Sequence, residues 1–158
     1  MNLTELSARL DDARSVLRVE ARERYESDSD QDWVRRFLAG EPQPDVELKR
    51  PWLDRLTAAA RAGTPWRRLR VIPDPLTDYV RYQCSWSYPD NAAAGEAVRA
   101  IDRAEWERLA GGPAPDFYLL DGRVIVMTYD STGRFTDAAE ITDPTTVATL
   151  RSAAETAW

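Results

Sequence analysis

The sequence predicts one α/β domain, built on a mixed sheet of about five strands that is flanked by helices. The chain has 158 residues, which is close to the usual size of one compact domain. Apolar residues make up 43 % of the chain and charged residues 30 %, which is enough apolar surface for one core. Strand and helix patterns alternate at first, then strands follow one another, and a helix comes last. That order favours a mixed sheet over a purely parallel one.

The first half of the chain predicts three helices and two strands. Each helix has apolar residues at three- and four-residue spacing, and each strand alternates apolar with charged residues. The elements are a helix from Leu3 to about Ala13, a half-buried strand from Leu17, a helix between an acidic cap at 26–30 and Gly40, a helix from Pro51 to Gly63, and a strand from Trp66 to Ile72. We expect one domain over 1–158, in which an N-terminal segment, 1–45, packs on an α/β core, 46–158.

The second half predicts a long helix, a strand and a short helix, followed by a strand meander and a final helix. Asp121-Gly122 is the clearest hairpin signal, because both residue types tolerate a positive φ. The elements are a helix from Thr77 or Asp78 to Trp86 with a bend at Pro89-Asp90 and a helical continuation over 92–94, a strand over 97–101, a helix over 104–109, a loop over 111–115, strands over 117–120, 124–129 and 135–141, and a helix from Asp143-Pro144 to Trp158.

Composition excludes several classes of enzyme. Histidine is absent, and Cys84 is the single cysteine. A Ser-His-Asp triad and a Cys-His pair both need an imidazole to accept the proton of the nucleophile, so both are excluded. One cysteine cannot build a zinc cage, and no group of carboxylates has the spacing of a Mg²⁺ or Ca²⁺ loop. We therefore expect no catalytic residue, no metal ion and no cofactor.

Charge and cysteine usage predict the compartment and the kind of partner. Cys84 cannot form an internal disulfide, and Met1 to Glu5 lack the basic and apolar stretches of a secretory signal, so we expect a cytoplasmic protein. The net charge of −6 has the wrong sign for binding a phosphate backbone, and the mean hydropathy of −0.54 is too low for a membrane span. A partner protein fits an acidic, arginine-rich surface better than nucleic acid or a membrane does.

Two arginines in the predicted strand over 66–72 are the first candidate binding residues. Arg68 and Arg70 are two positions apart, so their side chains share one face of the strand. Paired guanidinium groups can bind a phosphate or a carboxylate. Charged residues on the open face of a half-buried strand are also commonly just solvated. Both interpretations are compatible with the sequence.

The helix after this strand supplies further candidates, at the edge of the sheet where α/β folds place ligand sites. They are Asp78, Tyr79, Arg81 and Tyr82. The two tyrosines are at helical spacing, so they are alternatively core residues. Cys84 is expected to be a small buried residue. Trp86 and Tyr88 lie close to the predicted bend, and we expect their rings to be exposed to a partner.

Two carboxylates complete the candidate set. Glu96 follows Gly95 at a corner between a helix and a strand, where it can form an ion pair with Arg70 or Arg81 or act as a general base. Asp121 is most simply a turn residue, and its alternative role is in ligand or partner binding.

Four blocks of the sequence resemble signature blocks of an uncharacterised actinobacterial family, a domain of unknown function. The blocks are Trp66-Arg67-Arg68-Leu69-Arg70-Val71, Asp78-Tyr79-Val80-Arg81-Tyr82, Ala92-Ala93-Ala94-Gly95-Glu96 and Asp116-Phe117-Tyr118-Leu119-Leu120-Asp121-Gly122-Arg123. The resemblance covers nearly the whole chain, including Arg18-Val19-Glu20. Members of that family are commonly encoded beside helix-turn-helix regulators. The resemblance therefore implies a cytoplasmic accessory of a transcriptional regulator.

The chain is also similar, at the level of fold, to the phospholipase-D-like sensor half-domains of some transcriptional regulators. The similar features are a strand with paired arginines, the run Gly95-Glu96-x-Val98-Arg99, the run Phe117-Tyr118-Leu119-Leu120-Asp121, and a terminal helix with a tryptophan. Active members of that superfamily use a His-x-Lys-(x)₄-Asp motif, which this chain lacks. The resemblance implies that the phosphodiesterase chemistry has been lost.

Two functions are compatible with these observations. The first is a non-catalytic regulatory or interaction module that binds a regulator, with an anion or small-ligand pocket built around Arg68, Arg70, Tyr79 and Arg81. The second is a small enzyme that acts on a phosphorylated or nucleotide-like substrate, with arginine clamps and a carboxylate such as Glu96 or Asp121. A ligand-sized pocket lined by these arginines would favour the enzyme, whereas a shallow aromatic patch would favour the interaction module.

Overall fold

A computed structural model describes residues 1–113 and 115–158, without the side chains of Asp28, Ser29 and Gln31. The elements in chain order are α1 (Leu3–Asp12), β1 (Val16–Glu20), α2 (Asp28–Leu38), a 3-10 turn (Val46–Lys49), α3 (Arg50–Arg61), β2 (Trp66–Ile72), α4 (Asp78–Tyr82), a π turn (Gln83–Ser87), α5 (Tyr88–Ala93), β3 (Ala97–Asp102), α6 (Arg103–Ala110), β4 (Phe117–Leu120), β5 (Arg123–Tyr129), β6 (Phe135–Glu140) and α7 (Pro144–Ala157).

Two predicted features fall partly outside the described residues. Ser27 caps α2, and its side chain accepts a hydrogen bond from the backbone N–H of Asp30 at 3.2 Å. The side chains of Asp28 and Ser29, which belong to the predicted acidic cap, lie outside the described part of the chain, as does Ala114 of the predicted loop over 111–115.

The strands form one six-stranded sheet in the order β3-β2-β1-β4-β5-β6. β1 is parallel to β2, and β2 is parallel to β3, whereas β4 is antiparallel to β1 and begins an antiparallel meander through β5 and β6. This arrangement confirms the mixed α/β class, with six strands where about five were predicted. β1 lies in the middle of the sheet, between β2 and β4.

The two faces of the sheet pack on different helices. Alternate strand residues such as Leu17, Leu69 and Phe117 meet α6 and α7 through Trp106 and Leu150. The residues between them face the other way, where α1 and α3 contribute Leu6, Leu10 and Leu56 to a second cluster. Because helices cover both faces, the central strands are shielded from solvent on both sides.

Burial of β1 is greater than its sequence pattern predicts. Alternation of apolar and charged residues indicated a half-buried strand, but all five residues of β1 are buried, including Arg18 and Glu20. The physical reason is that helices also cover the face that carries these charges. Buried charges need partners, so this face determines where the candidate site lies.

The helix after β2 continues further than predicted. α4, the π turn and α5 follow one another without a break, so the chain stays helical through Pro89. The predicted bend at Pro89-Asp90 is therefore wrong. Trp86 and Tyr88 are buried rather than exposed, and Cys84 is exposed rather than buried. The continuing helix turns both rings toward the protein and the thiol toward solvent.

The hairpin between β4 and β5 is confirmed. Asp121 and Gly122 have φ values of 49° and 86°, the left-handed conformation that both positions of this tight turn require. The Asp121 carboxylate accepts hydrogen bonds from the backbone N–H groups of Arg14 at 3.0 Å and Ser15 at 2.8 Å. These bonds fix the segment that leads into β1.

Candidate functional site

Three arginines and one glutamate lie side by side on the face of the sheet that packs against α1 and α3. Arg18 is in register with Arg68, and Glu20 with Arg70, in the parallel pairing of β1 and β2. Arg68 and Arg70 thus share a face, as predicted from their spacing. The four residues are only 1–7 % exposed, so the solvated alternative does not apply to them.

Arg68 is held by two carboxylates of its own chain. Its Nε donates to Glu96 Oε2 at 3.0 Å, and its Nη2 lies 3.0 Å from Glu96 Oε1, which makes a two-point ion pair. Its Nη1 donates to Glu20. Asn91 donates from Nδ2 to Glu96 Oε2 at 2.8 Å, so the Glu96 carboxylate is also fixed from α5.

Arg18 pairs with Asp116, a carboxylate outside the predicted site. Arg18 Nη2 donates to Asp116 Oδ2 at 3.0 Å and to the hydroxyl of Tyr129 at 2.9 Å. Asp116 also accepts from the backbone N–H groups of Ala21 at 2.8 Å and Arg22 at 3.1 Å, and from the hydroxyl of Tyr25. Asp116 therefore ties the chain beyond β1 to the beginning of β4.

The cluster holds its charges within itself. Burial alone raises the pKa of Glu20, but the arginines at 68, 18 and 70 and the hydroxyl of Tyr88 lower it from 4.5 to about 2. Burial alone lowers the pKa of Arg68, but Glu20 and Glu96 raise it well above its usual range. Glu20 and Arg68 are therefore charged at neutral pH. Three guanidinium groups face three carboxylates in one buried network.

Arg70 is the least satisfied member of this network. It is 1 % exposed, and its Nη1 donates to the backbone carbonyl of Glu20 at 3.1 Å. Its guanidinium lies 5.8 Å from the centre of the Tyr25 ring. Nε and Nη2 have no partner among the described residues.

The candidate residues of α4 point in two directions. Asp78 and Arg81 form an exposed pair at 3.3 Å on the outer side of the helix. Tyr79 and Tyr82 are buried in an aromatic cluster with Trp33 and Trp86. Their hydroxyls donate to the Asp30 carboxylate at 2.9 Å and 3.1 Å.

The eight predicted site residues therefore do not converge on one surface. Arg68, Arg70 and Glu96 belong to the buried network, and Glu96 pairs with Arg68 rather than with Arg70 or Arg81. The four residues of α4 lie at an aromatic cluster and its outer side. Asp121 supports the turn between β4 and β5. The network also includes Arg18, Glu20 and Asp116, which the prediction left out.

An open cleft of about 550 Å³ lies between α2 and α4, next to the aromatic cluster. Its apolar and aromatic lining consists of Tyr25, Val34, Leu38 and Tyr79, and its charged lining of Glu23, Arg24, Asp30, Arg35 and Asp78. Two of the predicted residues, Asp78 and Tyr79, thus reach a surface where a ligand or partner has access. Leu38 is 53 % exposed, which is high for a leucine.

The chain belongs to the family described as Domain of unknown function (DUF6879), whose model matches residues 4–158. No curated protein matches the chain. None of the helices formed by the described residues has the length and apolar character needed to cross a membrane.

Proposed function

We propose that this DUF6879 domain is a non-catalytic, cytoplasmic interaction module that binds a helix-turn-helix transcriptional regulator through the cleft between α2 and α4. The observation that carries the proposal is the composition of that cleft. Apolar and aromatic side chains are open to solvent there, beside carboxylates that can pair with a basic partner. Recognition surfaces combine such apolar anchors with a charged rim.

The buried network supports a non-catalytic role over the alternative of a small enzyme. Arginine clamps act on a substrate only if their guanidinium groups can reach it. Arg68 and Arg70 are buried, and their charges are balanced by Glu20 and Glu96. Within this proposal they position the strands and helices that carry the cleft.

Charge and sequence resemblance support the choice of partner. DNA-binding domains have basic surfaces, because they bind phosphates. The acidic surface of this chain, with a net charge of −6, complements such a domain and is unsuited to binding DNA itself. The resemblance to an actinobacterial family encoded beside helix-turn-helix regulators, and to phospholipase-D-like sensor half-domains, points to the same kind of partner.

The test uses a purified helix-turn-helix regulator, chosen from the genes that neighbour the gene of this protein, with binding measured by calorimetry. Leu38→Ala removes an apolar anchor of the cleft and should weaken binding at least about tenfold, since burying a leucine side chain contributes more than about 1.4 kcal/mol. Leu48→Ala is the matched control, because Leu48 is 72 % exposed and does not line the cleft. Equal affinity of both variants, or no binding by the wild type, would show that the proposal is wrong.

A further inference from the structure

A second open cleft, of about 720 Å³, lies next to the carboxyl end of β1. Its cationic lining consists of Arg22, Arg24 and Arg103, and Ser131 and Thr132 of the loop between β5 and β6 also line it. None of these residues belongs to the predicted site. Arg24 also lines the cleft between α2 and α4, whereas Arg22, Arg103, Ser131 and Thr132 do not.

The topology of the sheet places this cleft at a position suited to a ligand. β1 has a parallel neighbour, β2, on one side and an antiparallel neighbour, β4, on the other. After β1 the chain crosses to β2 and then to β3 on one side of β1. It reaches β4, on the other side of β1, only later, so the order of the strands changes direction at β1. Open α/β sheets bind ligands at the carboxyl ends of strands where the order reverses.

Arg22 is a fixed arginine whose charge no described carboxylate balances. Its backbone N–H donates to Asp116 at 3.1 Å, and its guanidinium lies 5.1 Å from the centre of the Tyr129 ring. No hydrogen bond or ion pair joins that guanidinium to another described residue, and its Nε is buried without a partner. An arginine that is held in place but unpaired is suited to binding an anion from solution.

The other walls of the cleft are also fixed. Arg103 Nη2 donates to the backbone carbonyl of Ala21 at 2.9 Å, which holds this arginine beside Arg22. In the loop, Asp130 accepts from the backbone N–H of Thr132 at 2.9 Å, and Glu26 donates from its N–H to the carbonyl of Gly133 at 3.0 Å. The loop is thereby attached to the segment that carries Arg24. Binding would require little ordering of the chain.

The local charge also favours an anion. Three arginines line the cleft against two glutamates, Glu23 and Glu26, so its formal charge is positive on a chain whose net charge is −6. Arg103 lies 3.9 Å from Glu23, and Arg24 lies 3.3 Å from Glu26. Arg22 therefore provides the excess positive charge.

We infer that this cleft binds a small molecule carrying a phosphate group, with Arg22 as the main anchor and Arg103, Arg24 and the Ser131 hydroxyl around it. A planar guanidinium donates two parallel hydrogen bonds to phosphate oxygens, and the cleft has room for more than the phosphate alone. The inference goes beyond the proposed binding of a regulator and does not rest on it.

The test measures binding of inorganic pyrophosphate by calorimetry at constant ionic strength, with sodium chloride as the balancing salt. Wild type and Arg151→Gln should bind pyrophosphate alike, because Arg151 pairs with Glu155 on α7 and lies outside the cleft. Arg22→Gln should bind at least about tenfold more weakly, since it loses a charged bidentate contact. Arg24→Gln provides a second variant, because its side chain is 66 % exposed and its loss should not affect folding.

Two outcomes would overturn the inference. One is the absence of pyrophosphate binding to the wild type. The other is binding by Arg22→Gln that is as tight as binding by Arg151→Gln. Weaker pyrophosphate binding by Arg22→Gln, together with unchanged binding of the regulator, would also separate this site from the cleft between α2 and α4, because Arg22 does not line that cleft.

Discussion

Arg68 and Glu96 form a two-point ion pair across β2 and the start of β3, with Arg68 Nε and Nη2 each 3.0 Å from one carboxylate oxygen. Both residues are buried, and Glu20 and Asn91 bind the same pair from β1 and α5. This pair therefore joins β1 and β2 to the start of the edge strand β3 and to α5, the helix that precedes β3. It accounts for the presence of charged residues on a face of the sheet that helices cover.

Loss of this pair should affect folding far more than loss of an exposed arginine. Arg68→Ala leaves Glu96 and Glu20 buried without their main partner and should reduce the free energy of unfolding by about 3–5 kcal/mol. Arg81→Ala is the matched control, because Arg81 and Asp78 are 57 % and 59 % exposed, and it should change stability by less than about 0.5 kcal/mol. Urea unfolding of the three proteins measures the difference. Similar midpoints for both variants would contradict a structural role for Arg68.

The charge of Glu20 should make stability depend on pH in the acid range. Its pKa falls from 4.5 to about 2 on folding, because the arginines at 68, 18 and 70 outweigh the effect of burial. The folded state thus binds a proton less readily than the unfolded state does, and stability is lost as the pH falls from about 4.5 toward 2.

The variant Glu20→Gln isolates this contribution. At pH 7 it should be clearly less stable than the wild type, and the difference in the free energy of unfolding should shrink as the pH approaches 2, where the wild-type carboxyl becomes protonated. Chemical unfolding at several pH values gives that difference directly. A difference that stays constant between about pH 7 and pH 2.5 would show that folding does not lower the pKa of Glu20.

Much of the fold follows from local patterns in the sequence. Trp66–Ile72 is a strand over the predicted residues, and Asp121-Gly122 makes the predicted hairpin, because alternation and turn chemistry are local properties. Arg68 and Arg70 also share a face, as their two-residue spacing predicts.

The partners of these arginines could not be read from the sequence. Asp116 is 98 residues from Arg18 along the chain, and Glu96 is 28 residues from Arg68. Which carboxylate reaches which arginine depends on strand order and register, and on the helices that cover this face. The one available signal for Asp116 is its place directly before β4, and Arg18 and Glu20 could have been noted as charges two apart in a strand.

A close approach between α3 and the turn before β3 gives a third prediction. Gly95 has φ +107°, and a Cβ atom at this position would lie 2.6 Å from the Cβ of Ala60. Gly95→Ala therefore combines backbone strain with a steric clash and should cost about 2–4 kcal/mol. Gly63→Ala is the control, because Gly63 has φ +74° with nothing within 4 Å, so only the strain, about 1 kcal/mol, applies.

The clash can be separated from the strain by a double-mutant cycle. Ala60→Gly removes the atom that Gly95→Ala would meet, so the double variant should be more stable than the sum of the single effects by about 1 kcal/mol or more. Thermal or urea unfolding of the four proteins measures this coupling. Additive effects would show that α3 and the turn do not make this contact.

Binding of a regulator in the cleft between α2 and α4 should protect the backbone amides that it covers. Hydrogen exchange of those amides, measured by mass spectrometry with and without the regulator, locates the contact. We predict slower exchange in the complex over α2 and over 77–82, because Leu38 and Tyr79 line that cleft, and no change over α7 on the opposite face of the sheet. Protection confined to α6, α7 or the β3 edge, with α2 unchanged, would contradict the claim.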